Sequence, residues 1–371
     1  MDTPNTPPSA YTALEKHSCP ACGAQAEWSA RKHMLVCPFC GTESPVELES
    51  DTGKIIENDL VTALREVPEE MRGWEEERRT VKCQSCKAIT VFDPEKVASR
   101  CDFCNSPELV DYEEIRSPLR PGSLLPFKVN REQVHSTIKS WLGSRWFAPN
   151  ALKSRSLVDT IHGVYIPYWT FDSEVHCPWT ADSGTYYWVS ESYTDAQGKR
   201  RTRQVRKTRW SPASGAIDHT FDDVLIPGTT GVDRKLLSKI ENFPTVSDLV
   251  PYDKGYVSGW DVEHYQVVLF DAAEQARAKK FKALEGICGS AVPGDTYRNL
   301  RISPVFSAQT FKLVLVPVWL LVYDFGRKRN QVLVNGYTGA IAGTYPKSAW
   351  KIFFAILAGL IIVAVVLYLN R

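Results

Sequence analysis

The sequence predicts two tandem small zinc ribbons, an α+β domain with an antiparallel sheet, and one C-terminal transmembrane helix. Three observations carry this reading. Two pairs of CxxC motifs lie in the first third of the chain, the middle is dominated by β-branched and aromatic runs, and Ile352 to Leu369 holds eighteen residues without a charge.

Residues 1–16 read as a flexible lead with several prolines and no apolar core of a signal peptide. The first ribbon spans 17–50. Cys19-Pro20-Ala21-Cys22-Gly23 and Cys37-Pro38-Phe39-Cys40-Gly41 are separated by 14 residues, the spacing of a four-cysteine ribbon. Each CxxC turn delivers two sulfurs to one ion, and four thiolates satisfy tetrahedral zinc. Trp28, Leu35 and Val36 supply what little core the unit has, so metal binding would drive much of its folding. A linker at 51–79 follows, with a helix from Asp59 capped by Asn58, an apolar stripe of Leu60, Ala63 and Leu64, and an acidic stretch at 69–77.

The second ribbon spans 80–112 and repeats the 14-residue gap between Cys83/Cys86 and Cys101/Cys104. The expected ligands are therefore Cys19, Cys22, Cys37 and Cys40 for one zinc and Cys83, Cys86, Cys101 and Cys104 for the other. A closed shell of four thiolates leaves no open coordination position, which makes both ions structural. Tetrahedral sulfur also suits iron, and a disulfide framework or redox CxxC motifs are the competing readings.

After a Pro/Gly boundary at 117–123, the α+β domain runs over 120–346. Asn130 and Gln133 form a capping box before a helix whose apolar face is Val134, Ile138, Trp141 and Leu142. The stretches 160–177 and 310–324 read as strands, and each contains Pro-x-Trp, at Pro167 and Pro317. A proline cannot donate to a ladder, so each marks an edge, an end or a bulge. The echo suggests a degenerate internal repeat, with a weaker third copy at Leu125-Pro126-Phe127. A hairpin turns at 195–199, and helices are expected over Asp233–Phe243 and Asp271–Val292. Asn335-Gly336-Tyr337-Thr338-Gly339 reads as a turn near the end of the domain.

The anchor spans 350–369. Eighteen helical residues cover about 27 Å, the thickness of a hydrocarbon core. Trp350 and Tyr368 stand at its ends, and Lys347 and Lys351 on its N-terminal side. Thiolate zinc sites suit a reducing compartment, so the N-terminal bulk is expected in the cytoplasm.

Lys and Arg number 44 against 43 Asp and Glu, a formal net charge of +1, so no global field steers the chain toward nucleic acid. The basic run is local: residues 199–209 hold seven positive charges, which could meet lipid, an acidic partner or nucleic acid, or simply face solvent. Asp218, His219, Asp222 and Asp223 cluster in sequence and read as a strand end. Cys177 and Cys288 read as small buried residues. No GxxxxGK[ST], HExxH or GxSxG occurs, so neither a catalytic residue nor a small-molecule substrate is expected.

The CPxCG unit, the second ribbon, GVYIPYWTFD, DHTFDDVLIP, LVPVWLLVYDF, VNGYTGAIAGTYPKS and the terminal anchor together resemble the bacterial TFIIB-type zinc-ribbon membrane proteins, loosely labelled primosomal or helicase-like. A helicase would need a phosphate-binding loop, which the sequence lacks. The resemblance implies a membrane-anchored zinc-ribbon adaptor, similar to Bacillus proteins associated with SPFH and phage-shock-protein-A-like partners in envelope stress. The alternative expectation is a nucleic-acid-binding zinc-ribbon protein tethered to the membrane.

Overall fold

The computed structural model describes residues 19–44 apart from 20, 23, 25 and 33, then 55, 57–65, 79–92, 101, 103, 106, 109–111, 119–150, 161–194, 196, 198–325 and 328–369. The lead over 1–16, the acidic part of the linker, Cys104 and positions 195, 197, 326 and 327 lie outside the described residues.

Strands β1 (Glu27–Ser29), β2 (Met34–Val36) and β3 (Glu43–Ser44) form a small sheet of their own. Next come β4 (Asn58–Asp59), helix α1 (Leu60–Arg65), β5 (Arg79–Cys83), β6 (Ile89–Phe92) and β7 (Leu109–Asp111). The main domain continues with β8 (Ser123–Leu124), α2 (Arg131–Ser144), β9 (Ile161–Thr194), β10 (Arg200–Phe221), β11 (Ile226–Pro227), α3 (Arg234–Leu237), β12 (Val250–Pro251), α4 (Lys254–Val257) and β13 (Asp261–Glu263). It closes with α5 (Leu269–Ala291), β14 (Thr296–Ile302), β15 (Val305–Phe325), β16 (Lys328–Asn335), β17 (Ile341–Gly343) and α6 (Ala349–Leu369).

Strand β9 is the spine. Its 34 residues, rich in aromatic and β-branched side chains, extend about 110 Å at the usual rise. Along one edge β10 pairs from Phe221↔Ser173 to Arg200↔Thr194. Along the other, β15 pairs from Leu321↔Ile161 to Val305↔His176, with a bulge between Ser307 and Thr310, and β14 then covers Trp179 to Gly184. Past Gly184 the sheet narrows, among the described residues, to the β9–β10 ribbon.

The apolar C-terminal helix leaves from the opposite end. Tyr323, beyond the Leu321↔Ile161 pair, donates its hydroxyl to Thr344 O at 3.1 Å. Trp141 at the end of α2 meets Tyr345 edge-on at 5.8 Å. Helix α6 is long and apolar enough to cross a membrane, and none of its residues is buried.

Both prolines lie inside long central strands, where a simple edge assignment would not put them. A strand residue's N and O face the same edge. Pro167 O accepts from Gly228 N at 2.8 Å, just where the β9–β11 ladder stops at Pro227↔Tyr168. Pro317 O accepts from Gly336 N at 2.8 Å, just before the β15–β16 ladder begins at Val318↔Asn335. Each missing N–H thus faces the end of a neighbouring ladder, so no donor is lost.

These two sites are halves of a local two-fold. Leu315 pairs with Pro167 and Pro317 with Tyr165, so a dyad passes between Ile166 and Val316. Strand β8 runs parallel to β15 (Val314↔Ser123, Leu315↔Leu124) as β13 runs parallel to β9 (Asp261↔Val164, Val262↔Tyr165). Lys128 N and Val129 N both donate to Gly336 O, and Gln266 N and Val267 N both donate to Gly228 O. Trp319 Nε1 donates to Val129 O at 2.9 Å, and Trp169 Nε1 to Val267 O at 2.8 Å. Helices α2 and α5 then start from the next residues, Asn130 and Val268, as N-caps. The repeat is a β–α–β unit with its return strand. Leu125-Pro126-Phe127 occupies the place of Glu263-His264-Tyr265 and is not a third copy of Pro-x-Trp.

The N-terminal cysteine units pack on this frame. Trp28 Nε1 donates to Phe127 O, its ring meets Tyr256 edge-on at 4.7 Å, and Ser258 Oγ donates to Ala26 O at 2.8 Å. Trp28 and Leu35 belong to the main core rather than to a private one. Strand β6 joins the large sheet through Val91↔Val262 and Thr90↔Glu263, and Gln331 Nε2 holds Phe103 O at 3.0 Å.

Local details depart from the sequence in three places. Asn58 pairs with Phe311 in a ladder, so the helix cap falls to Asp59, whose Oδ1 accepts from Thr62 N at 2.7 Å. Leu60 and Ala63 are buried, whereas Leu64 is 41 % exposed and leaves the apolar stripe. The helix expected over Asp233–Phe243 stops at Leu237. Asp233 caps it, but Ile240 O is taken by the buried Asn335 amide at 2.8 Å, which draws the chain out of the helix. The Asn130–Gln133 capping box and the buried face Val134, Ile138, Trp141 and Leu142 are as the pattern predicts.

Candidate metal centres

All four thiols Cys19, Cys22, Cys37 and Cys40 converge, their sulfurs lying within 4.8 Å of one another. Cys19 Sγ is 3.5 Å from Cys40 Sγ, and Cys22 Sγ 3.5 Å from Cys37 Sγ. A tetrahedral ion with 2.3 Å metal–sulfur bonds needs sulfurs roughly 3.8 Å apart, so the set has the right size for one. Cys83, Cys86 and Cys101 converge in the same way, with Cys86 and Cys101 Sγ 3.6 Å apart. Cys104, the expected fourth member, lies outside the described residues.

The knuckles share one backbone device. In each, the first cysteine's N–H donates to the carbonyl five residues on: Cys19 to Ala24, Cys37 to Thr42, Cys83 to Ala88 and Cys101 to Ser106, at 2.7–3.0 Å. Gly41 (φ 74°) closes the second knuckle in the left-handed region, and Lys87 (φ 66°) takes the equivalent place in the third. The first cysteine of each pair is buried, while Cys22 and Cys40 are exposed.

Electrostatics match a cation site. The Thr42 hydroxyl, 3.1 Å from Cys40 Sγ, and the Thr42 amide pull that thiol down to about 6. The Ala24 amide favours a Cys22 thiolate, but the neighbouring sulfurs of Cys40 and Cys37 outweigh it and push the thiol up to about 12. Four thiolates this close ionise together only around a positive ion. Each set could hold a metal ion.

Other candidates resolve differently. Asp218 Oδ1 faces His176 Nδ1 at 2.7 Å across the β9–β10 ladder, and His219 packs edge-on against Phe221, so the sequence cluster is split. Asp223, only 2 % exposed at its side chain, instead ion-pairs with Lys312 at 3.0 Å. Lys312 also reaches Glu57 at 3.1 Å and Asp172 at 4.0 Å. Burial opposes the ammonium, but these carboxylates outweigh it and hold its pKa above the ordinary value. Asp172, Asp222 and Asp223 sit close enough for an ion, and Lys312 already pairs with two of them, Asp172 and Asp223. Sequence proximity could not reveal Lys312, which comes from β15, or Glu57, which comes from just before β4.

Cys177 and Cys288 are both buried with sulfurs 3.7 Å apart, joining β9 to α5, and burial raises the Cys288 thiol to about 11. Asn335 Oδ1 accepts from Tyr337 N and Thr338 N at 2.9 Å, so 335–339 is a turn. The basic run lies on the protruding ribbon. There Arg206 covers the Tyr186 ring at 4.1 Å, Lys207 pairs with Glu191 at 2.8 Å, and Trp188 is 65 % exposed.

No family model matches this chain, and no solved structure does. The chain is similar to "Uncharacterized protein YdjG" of Bacillus subtilis (strain 168), 22 % identical over 250 residues, which are 67 % of this chain and 70 % of that protein.

Proposed function

We propose that the chain is a membrane-anchored zinc-ribbon adaptor, with two structural zinc ions and an N-terminal bulk in the cytoplasm. It presents the sheet domain to membrane or envelope-stress proteins, and the SPFH and phage-shock-type partners are those the sequence resemblance implies. The observation that carries the reading is the convergence of Cys19, Cys22, Cys37 and Cys40 in a unit packed on a domain that ends in an apolar helix. A four-thiolate shell has no free position for a substrate, so the metal would build a surface rather than perform chemistry. On this reading the protein is not an enzyme.

Metal analysis of the full chain in detergent should give two zinc per chain. Cys37→Ser with Cys101→Ser should lose both, and stoichiometric zinc retained in that variant would refute the ligand assignment. Pull-down from native membranes, with and without nuclease, tests the adaptor role. Nuclease-resistant recovery of membrane proteins supports it. Partners lost on nuclease treatment would favour the second reading, a tethered nucleic-acid binder. That reading draws on the ribbon's arginine-covered tyrosines and exposed Trp188.

A further inference from the structure

Helix α6 does not begin on a free linker. Ser348 N donates to Phe147 O at 2.8 Å, and Lys351 Nζ donates to Trp146 O at 3.2 Å, Ala148 O at 2.8 Å and Asn150 Oδ1 at 2.7 Å. All three ammonium protons are thereby committed to one loop. The first turn of the apolar helix and residues 146–150 form a single tied unit.

Two indoles flank that tie. Trp146 is 72 % exposed and stacks on Phe147 at 5.6 Å, and Trp350 is 73 % exposed and stacks near Phe354 at 6.2 Å. The uncharged stretch starts at Ile352, the residue after Lys351, and its length only just covers a hydrocarbon core, which leaves no slack to push Lys351 away from the boundary. The polar headgroup layer is roughly 5–8 Å deep on each side. Trp146 O lies 3.2 Å from the Lys351 ammonium, so the loop stands within about one lysine side-chain length of that boundary.

We infer that the Trp146–Asn150 loop is a second membrane-contacting element, seated in the interfacial layer of the same bilayer that α6 enters. The inference rests on reading α6 as a membrane span and goes beyond it. Indole has an apolar body and one N–H donor, which suits the headgroup level and suits water poorly. With Trp146 and Trp350 on two different segments, the domain is held by two points and cannot swivel freely about its anchor.

The test is photo-crosslinking of the full chain, reconstituted in phosphatidylcholine nanodiscs carrying a diazirine at the lipid glycerol level, with adducts mapped by mass spectrometry. The expected result is adducts on α6 and on the peptide containing Trp146 and Phe147, with none above background on the distal 199–210 peptide. Lys351→Met should weaken the loop adducts while keeping those on α6, because it removes three of the tie's four hydrogen bonds, all but Ser348 N to Phe147 O, and leaves the span intact. Adducts on α6 with the Trp146 peptide at the background of 199–210 would overturn the inference alone. Adducts on neither would overturn the membrane reading and this inference with it.

Discussion

At the scale of single residues, the informative positions are buried titratable groups. Glu263 is fully buried beside Thr229 and Gln266, and burial raises its pKa to about 8, while the adjacent His264 is lowered to about 4 by the same cause. Between about pH 4.5 and 6.5 the fold holds a Glu263 proton that the unfolded chain releases, and lacks a His264 proton that the unfolded chain binds. The two slopes cancel. Of these two groups, only Glu263 differs from 6.5 to 8, with the folded state binding the extra proton, so its contribution to stability falls as pH rises, by roughly 2 kcal/mol. Denaturation at pH 6.5 and 8 should show the native chain losing that much more stability over the interval than Glu263→Gln does. Lys312→Met should cost about 3–5 kcal/mol, because it leaves Asp223 as an uncompensated buried charge. Adding Asp223→Asn should recover much of it, and a denaturant series on the two variants decides this. None of these partnerships was legible from spacing. The thiols were, because CxxC fixes its own local geometry, as the matching amide bonds of Cys19, Cys37, Cys83 and Cys101 show.

At the scale of elements, local signals succeeded where a motif closes on itself. Asn130 and Gln133 bond each other, and the hairpin turn falls between Thr194 and Arg200 as its Gly198 (φ 78°) demands. They failed where a distant partner decides, as Asn335 does for the end of α3 and Phe311 for Asn58. Beyond Gly184 the β9–β10 ribbon is tied to the body by the Asp295 carboxylate, which accepts from Tyr186 N at 2.7 Å, and its ladder pairs the two strands with each other. Replacing 188–206 by an Asn-Gly turn should therefore leave the thermal midpoint of the remaining domain unchanged within a degree or two. It should also abolish whatever binding the basic ribbon supports. A large drop in the midpoint would mean that the ribbon packs on the body.

At the scale of the whole molecule, the domain is two copies of one unit about the Ile166–Val316 dyad. Pro167 and Pro317 hinted at this, but most of the correspondence lies in backbone partners rather than in residue types. Gly228 matches Gly336 and Val267 matches Val129, whereas the neighbouring Gln266 and Lys128 share no chemistry. Equivalence has an energetic consequence. Trp169→Phe and Trp319→Phe each remove one indole N–H bond to a matched carbonyl, and each should cost about 1–2 kcal/mol, with the two costs additive in the double variant. Unequal costs would show that the halves have diverged in energy as well as in sequence.

The dyad also sets a standoff. It turns the two long strands in opposite directions, so what extends from β9 and what extends from β15 leave from opposite ends: one the basic ribbon, the other the segment leading to α6. Reach is thus written in ladder register and not in a floppy tether. Lengthening each ribbon strand by two residues would advance the tip by about 7 Å with its faces unchanged, while one residue in each would turn the faces over. Whatever meets the tip is gauged by counting residues, as on a ruler.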